Sequence, residues 1–357
     1  MNMKWLIPVI CFILACLSLL TLRSIAPELV VRQFVYFLLG SGLFYFLSTY
    51  RFKSFHKPSV IAYWLLIFVL LLLLIVGRET RQTVRWIDLF AGFKIQPSQF
   101  AVVITSLFLA FKLPQIKVDK WPGLLKLIGI IGFPALLIFL QPDLSSSLVF
   151  LMSFGVILFL IPIKFKQIVI MGLGFLMVLS ILWATVLRPY QKARMTSFFS
   201  ASETQDVDAG YNARQALIAV GSGQFYGRGL GFGIQSHLRF LPERQTDFVF
   251  ASIAEEWGFV GSFILVSLYF TLILVILYFS FKVEILSQQL YLLILVVALF
   301  LQVFVNIGMN LGLLPITGIT LPLISYGGSS VISFLIAFGI AFNIINNQKT
   351  KYKLWIK

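Results

Sequence analysis

Ten apolar runs, most of them close to the length that crosses a bilayer, leave this chain few folds to choose from. They cover residues 5–22, 29–49, 59–77, 97–113, 122–140, 145–162, 167–187, 250–280, 288–311 and 328–346. A hydrocarbon core about 30 Å thick takes roughly 20 helical residues to cross. Backbone groups at that depth have no water to bond, so every crossing is expected to be helical. The expected fold is therefore an all-α polytopic membrane protein with ten transmembrane helices. It forms one integral membrane domain over 1–357, with a large extracytoplasmic loop at 188–248 between helices 7 and 8. Runs 97–113 and 145–162 are short and polar at one end. Composition agrees, because only 11% of the 357 residues are charged and 59% are hydrophobic, against roughly 25% charged in a soluble domain. The first run follows Lys4 as a signal peptide would. It lacks a small-x-small cleavage site and is read as a retained helix.

A net charge of +15 raises nucleic acid as a partner, but the membrane topology explains the charge better, and no nucleic acid is expected. With a cytoplasmic N-terminus, alternation puts 15 of the 28 basic residues inside and 13 outside. That difference is small for the positive-inside rule. Residue type separates the faces more sharply: the inner set is lysine apart from Arg51, and the outer set is arginine apart from Lys94 and Lys192. Inner lysines, including Lys349, Lys351, Lys353 and Lys357, suit anionic headgroups. Outer arginines present a planar fork that grips phosphate or carboxylate, although each also has the ordinary reading of a loop charge with an acidic neighbour. Cys11 and Cys16 share one run and His56 and His237 fall on opposite faces, so neither a disulfide nor a histidine metal cluster is expected.

The segment Leu241-Pro242-Glu243-Arg244-Gln245-Thr246-Asp247-Phe248-Val249-Phe250 sets an acid against an apolar run. A carboxylate there is costly without a task or a partner, and Asp247 is the candidate reactive group. Its structural alternatives are an N-cap of the eighth helix or a salt bridge to Arg244. Upstream, Ser200–Asp208 is polar and acidic, and Tyr211–Val220 reads as a short amphipathic helix. Gly227-Arg228-Gly229-Leu230-Gly231-Phe232-Gly233 lacks the spacing of a nucleotide loop; its glycines suit tight turns and N–H groups turned toward an anion. Arg78, Arg81, Arg85, Trp86, Asp88 and Lys94 share another outer loop. Asp143 follows a Gln-Pro break and is either a site residue or a helix cap. Glu255 and Glu256 stand just inside the eighth run, as site support or as buried packing groups. Asn306 to Ser330 carries two prolines and five glycines with no charge. It is read as a broken or re-entrant segment lining a site, with Ser325, Ser329 and Ser330 offering hydroxyls.

These stretches together resemble the SEDS family (shape, elongation, division and sporulation), most of all its RodA branch. The resemblance rests on Arg85-Trp86-Ile87-Asp88-Leu89, Gln96-Pro97-Ser98, Gln141-Pro142-Asp143-Leu144, Ala219-Val220-Gly221-Ser222-Gly223, Leu241 to Phe250 and Asn306 to Ser330, in that order. It implies a ten-helix peptidoglycan glycosyltransferase that polymerises lipid II at the outer face of the bacterial cytoplasmic membrane, with both termini in the cytoplasm. It also implies a class B penicillin-binding protein as partner for transpeptidation. It makes the position of Asp247 essential and that of Asp143 important, and sets Arg85 and Trp86 near the substrate cavity. One departure stands out. The family pattern Gln-Pro-Ser-Glu-x-x-Lys reads here Gln96-Pro97-Ser98-Gln99-Phe100-Ala101-Val102, so both members of an expected charge pair are lost together. Losing both leaves no unpaired charge.

The residues then suggest a single displacement, with Asp247 as general base and outer arginines taking the charge of the leaving pyrophosphate. Arg85, Arg214, Arg228 and Arg244 are the candidates. No metal motif is present, and a divalent cation, magnesium or manganese, held by Asp143 or Asp247 is left open. Two other classes compete. A lipid II flippase would share the spans and the broken helix, but no repeat links the two halves and the polar signals gather on one face. An inactive scaffold for a penicillin-binding protein would tolerate Gln99 and Val102, but has no need of Asp143 and Asp247.

Overall fold

The computed structural model describes residues 3–76, 85–88, 94–161, 163–181, 184, 207–238 and 240–347. Each of the ten apolar runs holds a helix: α1 (Leu6–Ile25), α2 (Val30–Thr49), α3 (His56–Val76), α4 (Ser98–Lys112), α5 (Trp121–Leu140), α6 (Leu144–Phe154), α7 (Phe165–Ile181), α10 (Val249–Lys282), α11 (Leu286–Asn310) and α12 (Gly328–Asn346). Two further helices, α8 (Val207–Ser222) and α9 (Ile234–His237), lie in the loop between α7 and α10. Seven of the described helices are long and apolar enough to cross a membrane: α1, α2, α3, α5, α10, α11 and α12, the first three counted with the short 3-10 turns that lead into them. The protein is thus an all-α membrane protein. α4, α6 and α7 are shorter, and α6 runs on into a 3-10 turn at Gly155–Phe159. Residues 77–84, 185–206 and 348–357 fall outside the described set. With them go Arg78, Arg81, the end of the seventh run, most of the acidic Ser200–Asp208 segment and the lysine tail.

α11 and α12 form the centre. α11 packs on α4, α6, α8 and α10, and α12 on α2 and α4. Inside a bilayer, helices gain little from hydrophobicity and rely on close packing at small residues. At Gly339 of α12 an added Cβ would stand 2.8 Å from the Phe44 carbonyl oxygen of α2. One apolar core joins α1, α2, α10, α11 and α12, and a second joins α3, α4, α5 and α6. The one departure from helix among the described elements is a two-stranded antiparallel hairpin, β1 (Ile87–Asp88) and β2 (Lys94–Ile95), pairing Ile87 with Ile95 and Asp88 with Lys94.

α10 corrects the expectation of one continuous eighth helix. Its 34 residues break at Gly258, which takes φ +68° and ψ −161°. At about 1.5 Å per residue the 24 residues beyond the break reach roughly 36 Å, enough to cross alone. The short piece before it carries Glu255 and Glu256. These carboxylates therefore belong to a helix docked against the loop that holds α8 and α9, not to the spanning part.

Candidate active site

Asp247 sits in a turn, not on a helix. Glu243 takes φ +51°, and its carbonyl accepts from Thr246 N (3.0 Å) and Phe248 N (3.3 Å). The cap of α10 is Phe248, with no side-chain hydrogen bond, so Asp247 is not a helix cap. What fixes it comes from α11. Asn306 and Asn310, both fully buried, donate from Nδ2 to the main-chain oxygen of Asp247, at 3.0 Å each. Asn310 also accepts from Ala251 N at 3.2 Å, and Asn306 donates to Ile319 O at 2.7 Å. The residues are one helical turn apart, so one face of α11 holds both the turn and the broken segment beyond it. The half-buried Asp247 carboxylate faces Gly318, where an added Cβ would lie 3.4 Å from Oδ2.

The stretch between α11 and α12 is non-helical as expected; its 321–325 portion is buried, while Leu313 and Gly318 are exposed. Its serines serve differently from the expectation. Ser325 donates to Thr246 O at 2.6 Å and accepts from Leu321 N at 2.8 Å, while Tyr326 N reaches Gln245 O at 2.8 Å. Ser325 is thus a fastener of the Asp247 turn. Ser329 accepts from Gln96 N (2.8 Å) and Ser330 accepts from Thr320 Oγ1 (3.3 Å). Both are buried and tie α12 to its neighbours. Arg244 is likewise occupied: Nε and Nη2 donate to Ile25 O at 3.1 and 2.9 Å. There the cation meets the negative end of α1.

A second centre forms around Asp143, only 2% exposed. It is a helix cap, the structural reading of the sequence, and it is also the charge partner of Arg85. Oδ1 accepts from Ser146 N at 3.2 Å and meets Arg85 Nη1 at 3.4 Å, and Oδ2 accepts from Gln96 at 3.2 Å. Arg85 adds hydrogen bonds to the carbonyls of Gln141 and Pro142. Trp86 is exposed beside it. The motifs 85–88, 96–98 and 141–144, and Ser329 through Gln96, therefore meet in space. Replacing Asp143 by Ala should cost about 1–2 kcal/mol from the lost cap alone. With Arg85→Ala the losses should be non-additive, because the two share one interaction. Thermal unfolding of both single variants and the double variant in detergent measures that coupling.

The glycine loop meets anions, as expected, but they are the protein's own. Gly231 N donates to Glu256 Oε1 at 3.2 Å, and Gln235 N and Ser236 N donate to Glu255 at 2.8 and 3.0 Å. Ser24 and His237 also bind Glu256. Both glutamates are thus buried organisers of the loop, and they pin it to the end of α1. Arg228, exposed, donates to Ser222 O at 3.3 Å, and Arg214 is exposed on α8. The buried face of α8, Ala216 and Ala219, packs on Phe248 next to Asp247. Gln96, Asn306 and Asn310 were given no role by the sequence reading. Their signal was uncharged polar groups beside or within apolar helices, with the asparagines at i and i+4. Among the described residues no three His, Cys, Asp or Glu side chains gather to hold a metal ion.

A family model for FtsW, RodA and SpoVE, described as cell cycle protein, matches residues 3–350, and the chain belongs to this family. Among its relatives is the peptidoglycan glycosyltransferase MrdB of Escherichia coli K12, 38% identical over 277 residues, which are 76% of this chain and 74% of that protein. The probable peptidoglycan glycosyltransferase FtsW of Wigglesworthia glossinidia brevipalpis is 33% identical over 91% of this chain and 86% of its own. In a solved structure of a peptidoglycan synthase complex, described as coordinating polymerisation and crosslinking, one chain aligns with a TM-score of 0.81 at 28% identity, covering 97% of this chain and 98% of that one. The rod-shape-determining protein RodA of Thermus thermophilus aligns with a TM-score of 0.71 at 28% identity, over 97% of each chain.

Proposed function

We propose that this chain is a peptidoglycan glycosyltransferase that polymerises lipid II at the outer face of the bacterial cytoplasmic membrane, beside a class B penicillin-binding protein that crosslinks the product. The names of its relatives and the synthase complex it resembles support the activity and the partner. The observation that carries the mechanism is Asp247, half-buried, its main chain clamped by two buried asparagines and its carboxylate turned to a glycine. A fixed main chain carrying a half-buried carboxylate suits a group that must meet a moving substrate. Asp247 takes the proton of the acceptor hydroxyl as its oxygen attacks the donor anomeric carbon. The bond from that carbon to the pyrophosphate oxygen breaks, and undecaprenyl pyrophosphate leaves with the electron pair.

Arg85, Arg214 and Arg228 are the cations for that leaving group. Arg244 is better read as a brace between the Asp247 turn and α1. Asp143 already receives Arg85, Gln96 and Ser146 N, so a divalent cation would have to be shared by Asp247 and the pyrophosphate. Ten crossings, with α4, α6 and α7 as the short ones, keep both termini cytoplasmic and put the 188–248 loop and Asp247 outside. The test is polymerisation of purified lipid II by the protein in detergent, with and without the class B partner. Glycan strands on a gel are expected. No strands in either case, together with lipid II translocation by the protein in vesicles, would turn the reading toward a transporter.

A further inference from the structure

Two fully buried polar side chains, Gln33 of α2 and Ser18 of α1, bond to the non-helical connector just before α12. Gln33 Nε2 donates to Ser325 O and to Ser18 Oγ, each at 3.2 Å, and its Oε1 accepts from Gly327 N at 3.3 Å. Ser18 Oγ donates to Ile324 O at 2.8 Å. Burying a primary amide in an apolar helix is costly without such partners. A leucine of similar size would pack there without that cost, so packing alone does not call for a glutamine.

The same short connector carries the Asp247 turn. Ser325 Oγ donates to Thr246 O at 2.6 Å, and Tyr326 N donates to Gln245 O at 2.8 Å. Arg244 ties the start of the turn to α1 directly; the connector carries the ties at 245 and 246, beside Asp247. A second, independent observation marks this connector. Leu323, buried and immediately before it, takes φ +63° although it is no glycine. Such a conformation persists only where the surroundings over-determine it, and the bonds from Ser18 and Gln33 begin at the next residue. We infer that Gln33 is a positioning residue for glycosyl transfer. Supported by Ser18, it sets the 324–327 connector, and through Ser325 and Tyr326 the connector sets the turn from which Asp247 reaches the acceptor hydroxyl. Every link to the turn runs to its main chain, so the backbone is placed and the carboxylate moves with it. Misplacing a reacting group by about 1 Å can cost roughly 10²-fold in rate. The effect falls on kcat and not on KM, because none of these bonds involves Arg85, Arg214 or Arg228, the cations assigned to the pyrophosphate.

This inference rests on the proposed activity, and its test separates the two. kcat and KM for lipid II polymerisation are measured in detergent with the class B partner, alongside melting temperature. Gln33→Leu should lower kcat by roughly 10–100-fold and leave KM within about twofold. Asn343→Leu is the control. Asn343 of α12, also fully buried, binds the other end of α2: it donates to Leu47 O at 3.0 Å, to Ser48 O at 2.9 Å and to Tyr50 O. Leu47 lies about 21 Å along the helix from Gln33 at 1.5 Å per residue. Asn343→Leu should lose at least as much melting temperature as Gln33→Leu and keep kcat within about threefold, as expected for a distant site. Ser18→Ala is the milder change and serves if Gln33→Leu does not fold; it should lower kcat by roughly threefold to tenfold with KM held. A kcat near wild type in Gln33→Leu, or in Ser18→Ala where Gln33→Leu does not fold, overturns the positioning role. An equal fall in kcat for Asn343→Leu, or a loss confined to KM, overturns it too. Each of these outcomes leaves the proposed function standing, because wild type still makes glycan strands. Wild-type protein that makes none overturns the proposed function and the inference with it.

Discussion

Asp247→Asn is expected to lower the rate of lipid II polymerisation by roughly 10²–10⁴-fold, the usual contribution of a general base. Asparagine keeps the size and loses the basic oxygen. The contacts that hold the turn run to the main-chain oxygen of residue 247, from Asn306 and Asn310, and to neighbours through Ser325 and Tyr326. None of these depends on the carboxylate. The turn should therefore survive the substitution, and the rate should fall by far more than any change in melting temperature accounts for. Asn310→Ala is the contrast, because it strips a bond from Asp247 O and another from Ala251 N. About 2–4 kcal/mol of stability should go, and activity should follow as the turn loosens. Polymerisation and thermal unfolding on the same samples tell these cases apart. A normal rate for Asp247→Asn would end the base assignment. A loss of rate matched by a loss of stability would make the carboxylate structural.

The contrast between those residues shows what the sequence could disclose. Run length and apolarity are sums over about 20 residues, so the ten apolar runs could be located, and the amphipathic pattern of Tyr211–Val220 located α8; the four-residue α9 was too short to register. Asp247 and Asp143 stood out because carboxylates beside apolar runs are costly and rare. Partners were another matter. Ser325, Ser329 and Ser330 read as free hydroxyls because nothing local reveals that Thr246, Gln96 and Thr320 lie across from them. Arg244 read as a phosphate ligand because its acceptor, Ile25 O, is 219 residues away. The anion-facing glycine loop was legible as chemistry, but the anions proved to be Glu255 and Glu256 of the same chain. The 87–95 hairpin has two residues per strand, too few for a period of two to register. The break in α10 was hidden for a further reason: a lone glycine in an apolar run is a tolerated helix residue far more often than a hinge.

That hinge supports the second large effect. Gly258→Val is expected to destabilise the protein by about 4 kcal/mol or more, a size reserved for strain and lost buried contacts. The backbone at 258 has φ +68°, which β-branched residues avoid. An added Cβ would stand 2.3 Å from Gly227 N and 2.7 Å from Phe225 O, and both are backbone atoms that cannot swing aside. The contact is close because the break exposes helix groups for the loop to bind. Arg228 N and Gly229 N donate to Glu255 O and Glu256 O at 3.0 Å each. From beyond the break, Phe259 N and Val260 N donate to Gln224 O and Phe225 O at 2.9 and 3.2 Å. Forcing the loop away severs all four and releases α8, whose alanines pack on Phe248 beside the Asp247 turn. Thermal unfolding should show the loss directly, and polymerisation should fall with it. Gly132→Ala in α5 is the control, since its Cβ would meet nothing within 4 Å. It should be neutral, or stabilising by about 0.5–1 kcal/mol as expected for glycine replaced inside a helix. If both glycine variants melted together near wild type, the α10 break would carry no stability, and the loop would have to be held to the spans by α8 packing alone.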